Sequence, residues 1–381
     1  VNGSIEIKAV RTAPDLASFI RLHRSINAGE ERWIPPLYAQ EKKDLDRHKN
    51  PFYEHAEAEF FLALKDGRPA GRIAAIENSL HNIYYGDRVG FFGYYEAVDD
   101  DDVGRALFDA AEKWLKERGM EFMRGPVNPS MNGNIGFLVD GFDWPPSMLM
   151  PYTKRYYIDH ARANGLDKAM DVIVYGWYFH VYDLADQGGR FLKQLERLER
   201  FINKKNKITV RRVNLDDVDS EIAIIKEICN QSLKDNWGYV PLTDGEMEAL
   251  KHELLRIVDP DFFYIAEIDG TPEAVFMASP DYNEILARMN GRIFPFGWLK
   301  FLLFKKKIDK LILYLFAATP KGEHIGIAAP IYAEFFRECF KRKIKNYETG
   351  YVLENNLRLC NMLDKFYATK RKRYRIFQKP I

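Results

Sequence analysis

The stretch FFLALKDGRPAG, residues 60–71, returns without a gap as FYIAEIDGTPEA, residues 263–274. Each begins as an apolar strand, reaches Asp-Gly, and continues as a second apolar strand. Asp-Gly between strand-like runs is the composition of a two-residue hairpin turn, because both central positions need a positive φ that Asp tolerates and Gly adopts freely. One hairpin of this kind is commonplace. Two, at nearly the same offset from similar neighbours, point to an internal duplication.

The repeat extends outward from the hairpins. VRTAPDLASFIRLHRSI, residues 10–26, precedes the first, and VRRVNLDDVDSEIAIIKEI, residues 210–228, precedes the second. Both read as a short strand, a turn and an amphipathic helix. Downstream come VGFFGYYEAV (89–98) and LILYLFAAT (311–319), each followed by a long helix. Val103, Leu107, Ala111, Trp114 and Leu115 share one face of the first; Ile331, Phe335, Phe336, Cys339 and Phe340 share one face of the second. A strand follows each helix, EFMRGPV and NYETGYVL, and a terminal helix and strand close each half. This order predicts an α/β fold with a mixed, α+β-type sheet, present as two tandem copies. Gln187-Gly188-Gly189 reads as a break, and FLKQLERLERFINKK as a charged connecting helix. The expected domains are 1–183 and 207–381, with a linker helix over 184–206.

Composition narrows the class. A length of 381 residues suits two domains, and 46% hydrophobic with 29% charged residues is globular. A net charge of +1 gives no field that would gather nucleic acid, so no such partner is expected. Cys229, Cys339 and Cys360 lack paired spacing, and none of the histidines falls in an HExxH pattern. No disulfide framework and no metal site are expected. The opening VNGSIEIKAVRT alternates like a strand and lacks the apolar core of a signal peptide. The unpaired cysteines fit a reducing compartment, so a cytoplasmic protein is expected, and the longest apolar clusters fall far short of the roughly 20 residues that span a bilayer, so no transmembrane helix is expected.

The chemistry concentrates in TPKGEHIGIAAPIYAEFF, residues 319–336, read as a strand end, a glycine-containing loop and a helix start. Backbone amides at a helix start lack partners and carry the positive end of the dipole, so small residues there let a diphosphate approach. The candidate binding set is Phe316, Ala317, Ala318, Lys321, Gly322, His324, Ile325, Gly326, Ile327 and Ala328. At the matching place the first copy has Asp99, Asp100, Asp101 and Asp102, which repel an anion and suit helix capping. No cofactor is expected there.

EHIGIA, residues 323–328, resembles the cofactor loop of the GNAT superfamily of acyl-CoA N-acyltransferases: Arg or Gln, two residues, Gly, one residue, then Gly or Ala. Glu323 departs from the usual first position, with Lys321 or His324 as compensating cations. GYVLENNLRLCNMLDKFYATKRKRYRIF, residues 350–377, resembles the family's closing segment, with Asn356 at its Asn. Leu363 stands where many members have a Tyr acid, and Tyr367-Ala368 replaces the family's Gly-Phe. Across its length the chain is similar to bacterial tandem-GNAT proteins, which include bacterial ceramide synthases that N-acylate a sphingoid base from a long-chain acyl-CoA. The stretches that carry this are RGPVNPSMNGNIGFLVDGFDWPP, YYIDHARANGLDKAMDVIVY, DNWGYVPLTDGE and MNGRIFPFGWLKFLLFKKK.

The resemblance implies acyl-CoA as co-substrate, an amine acceptor that attacks the thioester directly, and an oxyanion met by a backbone amide of the fourth strand. Glu348 is the candidate base, with an ordinary strand Glu as the competing reading. Tyr367 or Tyr351 would protonate the thiolate, or serve as core. Asp235, Asn236 and Trp237 lie where this fold builds its acceptor pocket, though a turn made by the first two, with Trp237 as a core plug, is the competing reading. Trp298 to Lys307 mixes aromatic, leucine and lysine residues, as a membrane-surface segment does, at the inner membrane if the protein is peripheral to it; a packed helix is the alternative. The irregular GPVNPSMNGN loop, with Pro126, Asn128, Pro129, Asn132 and Asn134, either functions or seals. Two other functions stay open: aminoacyl transfer from tRNA in the manner of Fem-type peptidyltransferases, and a non-catalytic binding protein. Oligomeric state is not legible.

Overall fold

A computed structural model describes residues 4–178, 187–291, 296–365 and 368–381. The two hairpins are superimposable in register. β2 (Ala56–Lys65) pairs with β3 (Arg68–Asn78), and β11 (Phe263–Ile268) with β12 (Thr271–Pro280), both antiparallel. Asp66 and Asp269 both have φ 51°, and Gly67 and Gly270 have φ 74° and 78°, as the Asp-Gly turns require. Each hairpin carries a one-residue bulge at the same place, Ala63/Leu64 and Ala266/Glu267, just across from Pro69 and Pro272. A proline cannot donate to the ladder, and a bulge accommodates it.

The first half of the chain runs β1 (Ile5–Ala9), α1 (Ala13–Ile26), α2 (Tyr38–Asp44), β2, β3, α3 (Ser79–Tyr85), β4 (Val89–Ala97), α4 (Asp101–Lys116), β5 (Phe122–Gly125), β6 (Val127–Asn128), β7 (Asn134–Ile135), β8 (Phe137–Asp140), α5 (Tyr156–Ala163) and β9 (Asp167–Tyr178). The second runs α6 (Gln187–Asn203), β10 (Ile208–Arg212), α7 (Val218–Leu233), α8 (Asp244–Ile257), β11, β12, α9 (Asn283–Met289), α10 (Gly297–Phe304), β13 (Lys310–Ala318), α11 (Pro320–Ile325), α12 (Ala328–Lys341), β14 (Asn346–Glu348), β15 (Val352–Leu353), α13 (Leu357–Lys365) and β16 (Thr369–Pro380). The expected repeat of strand, helix, hairpin, strand, long helix and strand is present in both. The helix starts obey their sequences: Thr12 and Asp15 form a capping box on α1, and Asp217 caps α7.

Contacts divide the chain into two compact units that do not follow the expected boundary. One comprises Val1–Ile173, Asn283–Leu303 and Arg371–Ile381; the other comprises Val174–Tyr282 and Phe304–Lys370. Each half therefore gives much of its last strand to the other unit, residues 174–178 of β9 and residues 371–380 of β16. In the first unit the strand order is β1-β2-β3-β4-β5-β16, with β5 parallel to β4 and β16 antiparallel to β5. In the second it is β10-β11-β12-β13-β14-β9, with β14 parallel to β13 and β9 antiparallel to β14. Gln187-Gly188-Gly189 is not a break: α6 starts there, because glycine costs little in a frayed first turn. This helix packs on α12 within the second unit, where Arg337 pairs with Glu196, Glu199 and Glu334.

The first unit buries Phe92, Tyr95, Phe108, Phe137, Tyr157 and Phe377 around α4. The second buries Phe276, Phe335, Phe336 and Tyr347 beneath α12, with Phe276 and Phe335 centroids 4.8 Å apart.

Candidate active site

β13 and β14 pair for only three residues, Lys310↔Asn346, Leu311↔Tyr347 and Ile312↔Glu348. Beyond Glu348 the chain leaves β13. Thr349 donates its amide to Tyr175 O at 2.9 Å, and its hydroxyl accepts Tyr175 N at 3.0 Å, so it is tied to β9 instead. β13 continues alone to Ala318, bulged at Tyr314 against β12. Residues 313–316 are only half-buried in mid-sheet. A strand edge left unpaired offers amides and carbonyls to a ligand. Phe316, Ala317 and Ala318 lie along this edge, and Tyr351 is half-buried just past the parting.

The first unit starts the same way, with Val89, Gly90 and Phe91 of β4 beside residues 122–124 of β5. There the gap is filled. A Cβ on Gly93 would stand 1.8 Å from Val127 O, and Asn128 Oδ1 accepts the Tyr94 amide at 2.6 Å. Gly93 occupies the place that Tyr314 holds in the second unit. The GPVNP loop thus closes the opening of the first copy. Asp100 caps α4 by accepting the amides of Asp102 and Val103 and pairs with Lys65, the capping role read from the aspartates.

At the end of β13 the expected open glycine loop is replaced by a helix. Thr319 caps α11 by accepting Gly322 N at 3.2 Å, and Pro320 opens it. Gly326, at φ 84°, ends it in the left-handed conformation. The amides of Gly326 and Ile327 both reach Gly322 O, at 3.1 and 3.0 Å, so these two donors are already engaged. Gly322 is buried for packing: a Cβ there would stand 2.9 Å from Glu273 O. Ile325 and Ala328 are half-buried and Ile327 is buried, while Lys321, Glu323 and His324 are exposed. Lys321 pairs with Glu273 at 2.8 Å, and Thr319 donates to the same carboxylate. Glu323 is met by Arg358, whose guanidinium reaches its carboxylate and its carbonyl, both at 3.2 Å. The anomalous carboxylate thus has a cation of its own. Arg358 also brings α13 to α11; Asn356 caps α13 through Leu359 N at 3.1 Å.

Glu348 is placed away from an open base. It is 1% exposed, and its carboxylate lies 3.3 Å from Lys310 Nζ, which also pairs with Asp281 at 2.9 Å. This buried cluster sits where β13 and β14 are still joined. Tyr367 lies outside the described residues. Asp235, exposed, and Asn236 and Trp237, half-buried, form the turn after α7. Asn236 accepts Tyr239 N at 3.1 Å, and Ser232 at the end of α7 accepts Ala318 N at 3.1 Å. The second copy therefore brings the turn of residues 235–237, the end of β13, α11 and Asn356 towards one end of its sheet. Among the described residues no group of three or more His, Cys, Asp or Glu is placed to hold a metal.

The sequence reading missed a polar cluster within the first unit. Glu96, on β4, accepts Tyr157 Oη at 2.6 Å; Arg72, on β3, lies 3.8 Å from Glu41, and Glu41 lies 3.5 Å from His23. Burial pushes Glu41 up to about 7, against the pull of Arg72 and with help from Glu96. Burial and the nearby Arg72 push His23 down to about 2. A lone Glu inside the apolar VGFFGYYEA strand was the available signal.

No family model matches the sequence. The chain is 36% identical to protein YghO of Escherichia coli strain K12 over 374 residues, covering 96% of this chain and 93% of YghO. It is 31% identical over 388 residues to the bacterial ceramide synthase of Caulobacter vibrioides, covering 100% of this chain and 98% of that protein. Among solved structures, a tandem GNAT protein from the clavulanic acid biosynthesis pathway matches with TM-score 0.57 at 11% identity, over 99% of this chain and 98% of the other. A GCN5-related N-acetyltransferase from Sphaerobacter thermophilus matches with TM-score 0.52 at 12% identity, over 99% and 95%. These likenesses show the fold, and the full-length identities show the family: the chain is a tandem GNAT protein of the family that holds YghO and the Caulobacter bacterial ceramide synthase.

Proposed function

We propose that the second unit is an acyl-CoA-dependent N-acyltransferase whose acceptor is a long-chain, sphingoid-type lipid amine. The observation that carries this is the parting of β13 from β14 after Ile312↔Glu348, which, among the described residues, leaves 314–317 without a strand partner on that side, whereas the corresponding gap of the first unit is filled by Val127 and Asn128. The name of the Caulobacter relative supports the lipid acceptor.

The thioester lies along β13, and a neutral amine attacks its carbonyl carbon. The C–N bond forms, the C–S bond breaks, and the coenzyme leaves as a thiolate. An edge amide of β13 meets the oxyanion. The attacking ammonium must first shed a proton, to water, with Asp235 holding the charged form near the entrance. Tyr351 is the candidate to protonate the thiolate, and the proton that the nitrogen sheds as the amide forms returns, through water, to its phenol. Lys321 and His324, both exposed, are the candidate cations for the coenzyme's phosphates, Lys321 by turning from Glu273, while Glu323 is paired with Arg358.

Hydrogen exchange with and without a long-chain acyl-CoA tests the reading. The expected result is slower exchange over 313–318, unchanged exchange over Val89–Ala97, and a higher Tm. Mass spectrometry of a reaction with sphinganine should show the amide. Protection confined to β4, or no thermal shift at saturation, defeats the assignment. Protection with only short amines acylated overturns the lipid acceptor alone.

A further inference from the structure

Helix α10 is apolar on both sides. Gly297 is buried and Phe301 and Phe304 are half-buried, forming the inward side. The opposite arc, at i, i+3 and i+4 spacing, holds Trp298, Leu299, Leu302 and Leu303, and Phe296 extends it by one turn. These side chains are in the open: Phe296 is 69% exposed, Leu302 52% and Leu303 60%. A surface helix ordinarily turns its polar side outward, so an outward apolar arc with an indole at its edge is the reverse of what water favours.

The surrounding charge is of one sign. From residue 285 to residue 308 the sequence has six basic residues and no acidic one. Lys300, on the helix, and Lys305 and Lys307, directly after it, are exposed. Lysine stems lie along apolar surface while their ammonium groups reach outward, so this ring places cations at phosphate level when the leucines enter an acyl layer. A self-associating apolar face would bring the same lysines against one another, which disfavours a second copy of this chain as the occupant.

We infer that α10 is a membrane-docking helix that inserts Trp298, Leu299, Leu302 and Leu303 into the surface of a bilayer rich in anionic lipid. The inference rests on this helix alone and stands whether or not the acceptor amine is a lipid.

The test is co-sedimentation of the full chain with vesicles of phosphatidylcholine, with or without phosphatidylglycerol. Binding to the anionic vesicles is expected, with a blue shift of emission that Trp298→Phe removes. Leu302→Glu together with Leu303→Glu should weaken binding roughly tenfold or more. Lys305→Ala and Lys307→Ala should each cost roughly fivefold on anionic vesicles only, an effect that salt erases. The altered side chains are exposed, so Tm and the acyl-CoA shift should stay at parental values, which separates this result from the fate of the proposed activity. Equal binding by parent and Leu302/Leu303 variant overturns the inference. So does a lipid-free dimer, seen by sedimentation velocity, that the same pair dissolves.

Discussion

Glu41 and His23 face each other at 3.5 Å with opposite proton demands. The folded chain raises Glu41 from 4.5 to about 7, so it favours the protonated acid; that contribution is complete below 4.5 and is lost as pH climbs to 7. It lowers His23 from 6.5 to about 2, so it favours the neutral ring; that contribution is complete above 6.5 and is lost as pH falls. Between 4.5 and 6.5 the two slopes oppose each other. Glu41→Gln removes one of them. The variant should exceed the parent by up to about 3 kcal/mol above pH 7, gain nothing at low pH, and show a Tm that rises more steeply with pH than the parent's up to 6.5. Melting curves from about pH 5 to about pH 8 check this, and parallel curves for the two proteins would refute it. Neither residue stood out in the sequence. Residue type there reports polarity, whereas the perturbation comes from burial and, for His23, also from Arg72, which is distant in the chain.

At the scale of elements, the hairpins were legible because Asp-Gly dictates its own backbone angles. The helix α11 was not, because Pro, Gly and His read as loop, although Thr319-Pro320 was the start signal. The bulged fourth strands show the same limit: apolar runs at 89–97 and 310–318 look alike, yet one is sealed and one is open. What differs is the chain that follows β5 and β14, with Asn128 taking the Tyr94 amide in one copy and Thr349 tied to Tyr175 in the other. Asn128→Ala leaves the half-buried Tyr94 amide without its acceptor and should cost about 1 kcal/mol in urea unfolding. The acyl-CoA thermal shift should survive, since that opening belongs to the other copy; its loss would mean that the coenzyme uses β4.

At the scale of the whole molecule, the duplication and the fold could be read from the sequence, and the ownership of the last strands could not. A strand's alternation tells which face is buried and says nothing of its neighbour. The consequence is measurable. The chain expressed as residues 207–381 alone lacks the edge that β9 supplies to β14 and should show weak protection at residues 346–348 with no acyl-CoA response. Co-expression with residues 1–206 should restore both. A fully protected, responsive fragment would contradict the exchange.

Tyr175 gives the exchange a further meaning. This residue belongs by descent to the copy whose own gap is blocked, yet it exchanges two hydrogen bonds with Thr349 at the point where β14 leaves β13. Deleting the first half would remove the residue to which Thr349 is tied where β14 leaves β13. On the proposed function, a gene that discarded the first copy would forfeit the second copy's activity as well.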